Sequence, residues 1–269
     1  MNRITRLFGK NKKNLLSVFA TAGFPYLDST GEVLRALSDA GIDMVEVGVP
    51  FSDPMADGPV IQESSSVALR EGMTLATLLR QVKDVRPSLR DDMPLVLMGY
   101  LNPMMRYGIE RLFADCKEAG IDALIVPDLP FDEYMSEFRG LCLKYDIPMI
   151  MLITPETEEE RIRLIDSACD GFIYMVSSAS TTGTRDSFSA EQERYFRDIA
   201  AMELTHPRMI GFGISNPSTL RMACEHASGA IVGSLFIKCL AAEDSPRAAV
   251  GRLLSTLTGR KKSIIRGRL

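Results

Sequence analysis

The chain has 269 residues, of which 46% are hydrophobic and 25% charged, and its formal net charge is −4. This composition is typical of a globular protein, and no apolar run approaches the roughly 18 residues that a membrane span needs. The N-terminus lacks the apolar segment and cleavage site of a secretory signal. Five cysteines occur without CxxC spacing, so we expect reduced thiols and a cytoplasmic location.

Basic residues are concentrated at the two ends of the chain. Residues 1–13 carry five basic residues and no acid, and residues 260–269 carry another five and no acid. We interpret both segments as solvated extensions of a single domain that spans residues 1–269. Nucleic-acid binding by the basic ends is the alternative interpretation.

An apolar strand, a loop and an amphipathic helix alternate along the chain. The predicted strands are 15–22, 44–48, 95–99, 123–126, 149–153, 171–176, 209–212 and 229–232. The predicted helices are 29–40, 74–86, 109–119, 133–144, 158–168, 190–201, 217–225, 235–240 and 246–257. This alternation implies βαβ units with parallel pairing. Eight units in about 250 residues favour a single (β/α)8 TIM barrel over an open doubly wound sheet.

Two of the helix-to-strand connections have the same sequence pattern. Ala40-Gly41-Ile42-Asp43 and Ala119-Gly120-Ile121-Asp122 each place a glycine after the helix and an aspartate before the strand. We expect each glycine to end its helix in the left-handed conformation. In a barrel of this kind, chemistry belongs to the loops at the carboxyl ends of the strands.

Residues 46–59 form the most informative of these loops, with three acids and three prolines in fourteen residues. Side chains alternate along a strand, so Val45 and Val47 share one face and Glu46 lies on the other. A carboxylate buried at a strand end is costly unless it is paired or functional. The functional interpretation is a pair of carboxylates, Glu46 and Asp57, over one pocket. The alternative is a salt-bridged glutamate followed by a proline-rich surface turn.

Two further loops have the glycines expected of an anion site. Gly211-Phe212-Gly213 ends the seventh strand before the candidate N-cap Asn216-Pro217, and Gly233-Ser234 ends the eighth and leads into a helix. Glycines let backbone N–H groups approach a phosphate, and helix N-termini add a favourable dipole. Gly183 is a third candidate. The alternative is that these glycines serve only the tight turns of the barrel.

The sequence lacks the residue patterns that several kinds of catalysis require. The two histidines form no metal-binding cluster, and every lysine falls in a predicted helix or a terminus rather than on a strand facing the barrel. No serine or cysteine nucleophile has a histidine in a recognisable motif. Acid–base catalysis by carboxylates, with phosphate as the anchor, is the remaining chemistry.

The residues 46–59 closely resemble the signature of the tryptophan synthase alpha subunit family. The similarity continues, in the family's order, through Thr21-Ala22-Gly23-Phe24-Pro25, Met98-Gly99-Tyr100-Leu101-Asn102-Pro103, Val126-Pro127-Asp128-Leu129-Pro130, Gly211-Phe212-Gly213-Ile214 and Val232-Gly233-Ser234. The resemblance implies a (β/α)8 barrel that cleaves indole-3-glycerol phosphate into indole and glyceraldehyde 3-phosphate. It also implies a beta subunit that carries pyridoxal phosphate, an α2β2 complex, and no cofactor or metal in this chain.

The resemblance also implies roles for individual residues. Glu46 would take the proton from the glycerol hydroxyl and protonate the indole carbon, and Asp57 would contact the indole N–H. Thr182 would contact the catalytic aspartate on loop closure, although Ser180 stands where other members carry glycine. Phe19, Tyr100 and Tyr174 would line the indole pocket or orient the catalytic glutamate, with barrel filling as the alternative for these three, and Phe212 would line the same pocket. Those expected to bind phosphate are Gly183, Gly213, Gly233 and Ser234.

Residues in two of the loops are expected to face the beta subunit. They are Pro50, Asp53, Pro54, Asn102 and Pro103, and rigid rims of the active site are the alternative interpretation. Three other functions stay open: a free-standing lyase, another phosphosugar barrel such as an isomerase, and a non-catalytic subunit that activates a partner.

Overall fold

A computed structural model describes residues 1–9, 13–177 and 187–259. Within these ranges eight parallel strands form a closed barrel, in which each strand pairs with the next and the last pairs with the first. The strands are β1 (Leu15–Thr21), β2 (Met44–Gly48), β3 (Leu95–Met98), β4 (Ala123–Ile125), β5 (Met149–Ile153), β6 (Ile173–Val176), β7 (Arg208–Gly211) and β8 (Gly229–Val232). The predicted (β/α)8 barrel is therefore confirmed, and the predicted strand bounds agree within two residues.

Helices surround the barrel. Those in the described residues are α1 (Arg3–Phe8), α2 (Thr30–Asp39), α3 (Pro59–Arg70), α4 (Leu75–Val85), α5 (Leu101–Tyr107), α6 (Ile109–Ala119), α7 (Phe131–Glu133), α8 (Arg139–Tyr145), α9 (Glu159–Ala168), α10 (Ala190–Ala201), α11 (Pro217–His226), α12 (Ser234–Ala242) and α13 (Pro246–Thr258). A π-helical turn, Tyr134–Phe138, joins α7 to α8. None of these helices is both long and apolar enough to cross a membrane.

Three helices were not predicted from the sequence: α1, α3 and α5. Helix α3 starts at Pro59, which occupies the first helical turn, where its missing N–H costs nothing. Its central residues include three consecutive serines, which weaken the apolar periodicity that identifies a helix. Helix α5 has only seven residues, too few for a periodic pattern.

The repeated pattern before β2 and β4 has a structural reason. Gly41 and Gly120 both have positive φ angles, 81° and 78°, as predicted for helix-ending glycines. The two aspartates then accept hydrogen bonds from the backbone of a neighbouring strand. Asp43 Oδ2 accepts from Leu16 N–H at 3.0 Å, and Asp122 Oδ2 accepts from Leu95 N–H at 2.9 Å. These bonds satisfy N–H groups near strand starts.

The basic N-terminal segment is not simply a solvated extension, contrary to our expectation. Arg3 donates to Asp122 Oδ1 at 3.0 Å, and Ile4 is fully buried. The ring of Phe8 lies 5.3 Å from that of Phe172, just before β6. Helix α1 therefore packs across the amino-terminal end of the barrel. Residues 10–12 and 260–269 lie outside the described residues.

The barrel leaves no room for a side chain at Gly229. A Cβ there would lie 2.0 Å from the carbonyl oxygen of Leu15, on the strand that closes the barrel. We expect Gly229→Ala to lower the free energy of unfolding by about 3 kcal/mol, because backbone rather than a flexible side chain must move. Urea unfolding measures the change.

Gly140→Ala is the matched control. Gly140 lies in α8, and a Cβ there would contact nothing within 4 Å. This substitution should raise the free energy of unfolding by about 0.5–1 kcal/mol, since alanine is the better helix former. Equal unfolding midpoints for the two variants would contradict the assignment of Gly229 as a close backbone contact.

Candidate active site

Glu46 is the central residue of β2 and is fully buried. Its Oε1 accepts a hydrogen bond from Ser17 Oγ on β1 at 3.1 Å. Its Oε2 is buried and has no hydrogen-bond partner among the described residues. Glu46 lines a pocket at the carboxyl end of the barrel. The salt-bridged glutamate considered as the alternative is not what the structure shows, because no cation pairs with this carboxyl group in the described chain.

Asp57 lies in the loop between β2 and α3 and lines the same pocket. Only 7% of the residue is exposed. The hydroxyl of Tyr100 donates to Asp57 Oδ2 at 2.9 Å and accepts from the N–H of Ala56 at 3.0 Å. The phenol therefore fixes the carboxylate and the loop backbone together. The ring of Phe51 stacks on Tyr100 at 5.1 Å, which further restrains the loop.

Aromatic rings occupy space that two glycines leave open. A Cβ at Gly48 would lie 2.3 Å from the Phe19 ring, and a Cβ at Gly211 would lie 2.2 Å from the Tyr174 hydroxyl. Both rings line the pocket with Phe212, whose ring meets that of Tyr174 edge to face at 6.3 Å. The predicted aromatic residues Phe19, Tyr174 and Phe212 are thus together, and the two glycines are what admit them.

Tyr100 is not among the residues that line this pocket with Phe19, Tyr174 and Phe212. It lies behind Asp57 and holds that side chain through the hydroxyl. The sequence places Tyr100 at the end of β3, but only the folded loop decides which carboxylate its hydroxyl meets.

Burial gives the two carboxyl groups different ionisation. Desolvation raises the pKa of Glu46 to about 8, and the single hydrogen bond from Ser17 only partly opposes it. Desolvation raises the pKa of Asp57 to about 6, because this group is less buried and is stabilised by Tyr100. Burial also raises the pKa of Tyr174 well above its usual value, and both carboxylates add to that effect. Near pH 7, Glu46 is mostly protonated and Asp57 mostly ionised.

One side of the pocket is formed by the starts of helices. Gly213, Gly233 and Ser234 all line it. Helix α12 begins at Ser234, and its N-cap residue, Gly233, makes no side-chain cap to the first N–H groups. Such N–H groups, with the helix dipole, favour an anion. The neighbouring α11 is different, since the side chain of Asn216, the predicted N-cap, accepts from its first turn.

The remaining predicted residues separate into two groups. Thr182 and Gly183 lie outside the described residues. Among the five residues expected to face a partner, Asp53 and Asn102 are exposed and Pro103 is half-buried, but Pro50 and Pro54 are buried. The two prolines therefore stiffen the loop from within.

The pocket also contains residues that the sequence analysis missed. Ile61 belongs to the unpredicted α3, and Met98 and Ile231 come from β3 and β8. Lys238 lies one helical turn after Ser234 and reaches the same pocket. The i, i+4 spacing on α12 could have identified Lys238 from the sequence. No group of three or more side chains suited to a metal ion occurs in the described ranges.

Comparison with known proteins identifies the family. The family model for the tryptophan synthase alpha chain matches residues 6–264. The tryptophan synthase alpha chain of Parabacteroides distasonis is 54% identical over 257 residues, covering 96% of this chain and 99% of that protein.

Solved structures of tryptophan synthase also match this chain. The crystal structure of the tryptophan synthase alpha subunit from Legionella pneumophila matches with a TM-score of 0.85 and 34% identity, covering 96% of this chain and 98% of that one. A structure of tryptophan synthase from M. tuberculosis, in an aminoacrylate-bound form, matches with a TM-score of 0.81 and 27% identity, covering 96% of this chain and 98% of that one. These matches confirm the predicted family. The chain belongs to the tryptophan synthase alpha chain family.

Proposed function

We propose that this chain is the alpha subunit of a tryptophan synthase and a carbon–carbon lyase. It cleaves indole-3-glycerol phosphate into indole and glyceraldehyde 3-phosphate by carboxylate acid–base catalysis. The observation that carries this proposal is the pair of carboxyl groups lining one pocket, with pKa values of about 8 for Glu46 and about 6 for Asp57. Because their surroundings separate the two pKa values, the pocket holds a protonated carboxyl group and a negatively charged carboxylate at the same pH.

The ionisation states define the order of proton transfers. Protonated Glu46 gives its proton to carbon 3 of the indole ring, which leaves a cationic indolenine. Ionised Asp57 faces the ring N–H and stabilises that charge. The Glu46 carboxylate then takes the proton of the glycerol hydroxyl as the carbon–carbon bond breaks. The bonding electrons return to the ring, the hydroxyl carbon becomes the aldehyde, and Glu46 is protonated again.

The rest of the pocket fits the two ends of this substrate. Phe19, Tyr174 and Phe212 offer an apolar, aromatic surface for the indole ring. Gly213, Gly233 and Ser234, at the uncapped start of α12, offer N–H groups for the phosphate. The anchors at the two ends hold the scissile bond beside the carboxyl groups. Gly183 in phosphate binding and Thr182 in loop closure stay predictions.

The proposal extends to a beta subunit in an α2β2 complex. Asp53, in the loop after β2, and Asn102, in the first turn of α5, are exposed. The apolar side chains of Met55, in the same loop, and Met105, in the same helix, are 90% and 60% exposed. Exposed methionines beside polar residues are typical of a protein interface. The beta subunit would carry the pyridoxal phosphate, and this chain no cofactor. The free cysteines fit a reducing, cytoplasmic location.

Indole release tests the function. We expect the purified chain to release indole slowly from indole-3-glycerol phosphate and much faster with a beta subunit. Glu46→Gln should lose activity by at least about a hundredfold with and without the beta subunit, because its amide neither donates nor accepts the catalytic proton. Fast release without the beta subunit would identify a free-standing lyase. No release in either condition would contradict the catalytic assignment.

The dependence of kcat/KM on pH should be bell-shaped. It should rise with pH as Asp57 ionises near 6 and fall as Glu46 loses its proton near 8. The substrate phosphate also ionises near about pH 6. Asp57→Asn separates these two ionisations, because it removes the contribution of Asp57 to the ascending limb and leaves that of the substrate phosphate. A profile that still rises with pH above 8 would contradict Glu46 as the initial proton donor.

Tyr100→Phe should displace the acidic side of this profile. Loss of the hydroxyl removes the hydrogen bond that favours ionised Asp57, so its pKa should rise by about one unit and the ascending limb should move to higher pH. Tyr107→Phe is the matched control, because Tyr107 donates to Asp115 on the helical surface. An unshifted limb in Tyr100→Phe would show that this bond does not set the ionisation of Asp57.

A further inference from the structure

We infer that Ser17 is a positioning residue for Glu46: it occupies Oε1 of the carboxyl group, so that the proton is delivered and recovered through Oε2 alone. This inference rests on the proposed function of Glu46. It adds a residue on β1 to the catalytic arrangement and assigns the two oxygens of the carboxyl group different tasks.

The positions of the two strands bring Ser17 to this oxygen. Strands β1 and β2 are parallel neighbours, and Phe19 of β1 is in register with Glu46 of β2. Ser17 precedes Phe19 by two residues and therefore lies on the same face of β1. It is fully buried, and its Oγ lies 3.1 Å from Glu46 Oε1.

Within residues 1–9, 13–177 and 187–259, the surroundings of Glu46 provide no substitute for the Ser17 hydroxyl. On the other side of β2, the residue in register with Glu46 is the apolar Val96. In the part of the chain that the structure describes, the titratable groups that line the pocket with Glu46 are Asp57, from the following loop, Tyr174, from β6, and Lys238, from α12. None of the three makes a hydrogen bond with Glu46, and Oε2 has no partner among the described residues. A buried polar atom without a partner is unusual and is expected where a substrate supplies the contact.

The hydrogen bond decides where the proton resides. In a protonated carboxyl group one oxygen accepts hydrogen bonds and the other carries the hydrogen. Ser17 donates to Oε1, so the hydrogen of the protonated group is on Oε2, which has no hydrogen-bond partner among the described residues. Oε2–H then gives its proton to the indole carbon, and Oε2 accepts the proton from the glycerol hydroxyl. No rotation of the carboxyl group is needed between the two steps.

Ser17→Ala tests the inference. We expect kcat to fall by about tenfold with KM little changed, because either oxygen can then carry the proton. The descending limb of the pH profile should move up by about one unit, because the lost hydrogen bond favours the ionised form of Glu46. Ser17→Thr keeps the hydroxyl and should restore both the limb and most of kcat.

Ser38→Ala is the matched control, because Ser38 is also buried but accepts from the backbone of Arg90 at the opposite end of the barrel. It should leave the pH profile unchanged. Isotope-edited infrared titration of Glu46 gives a second readout that does not depend on turnover. Two results would overturn the inference. One is that neither the descending limb of the pH profile nor the infrared titration of Glu46 shifts in Ser17→Ala; the other is that kcat falls equally in Ser17→Ala and Ser17→Thr. Glu46→Gln assayed in parallel separates this failure from that of the proposed function, since an active Glu46→Gln would overturn the latter.

Discussion

The burial of one carboxyl group governs the arrangement of the site. Glu46 lies in the middle of β2 with no exposed surface, and among the described residues one hydroxyl, that of Ser17, donates a hydrogen bond to it. An ionised carboxylate in such a place is costly, so the group holds its proton near neutral pH. That proton is the reagent that the proposed cleavage needs first. The same burial leaves Oε2 without a hydrogen-bond partner among the described residues. Burial therefore keeps the proton on Glu46 near neutral pH and leaves one oxygen available to transfer it.

Asp57 has a contrasting environment although it faces the same pocket. It is carried by a loop rather than a strand, is slightly exposed, and receives the hydroxyl of Tyr100. Its carboxylate is therefore ionised where Glu46 is not. A rigid strand and a proline-stiffened loop bring the two groups over one pocket, and their surroundings separate their functions. The rings of Phe19 and Tyr174 pack against Gly48 and Gly211 and give the same pocket an apolar lining.

The two ends of the barrel serve different purposes. At the amino end, α1 packs on the strand starts, and Asp43 and Asp122 bind N–H groups of neighbouring strands. These contacts stabilise the fold and contain no pocket residue. At the carboxyl end, loops and the uncapped start of α12 leave polar groups available to a ligand. This separation between stability and chemistry is general for such barrels.

The sequence by itself determined the barrel, because eight apolar strands alternating with amphipathic helices permit few other arrangements. It also determined that Glu46 faces inward, since side chains alternate on a strand, and the family motifs identified Asp57 as its counterpart. Only the tertiary structure decided that the Tyr100 hydroxyl holds Asp57, that Ser17 contacts Glu46, and that α1 covers the amino end. These contacts join residues far apart in the chain, and local periodicity contains no information about which strands or loops become neighbours.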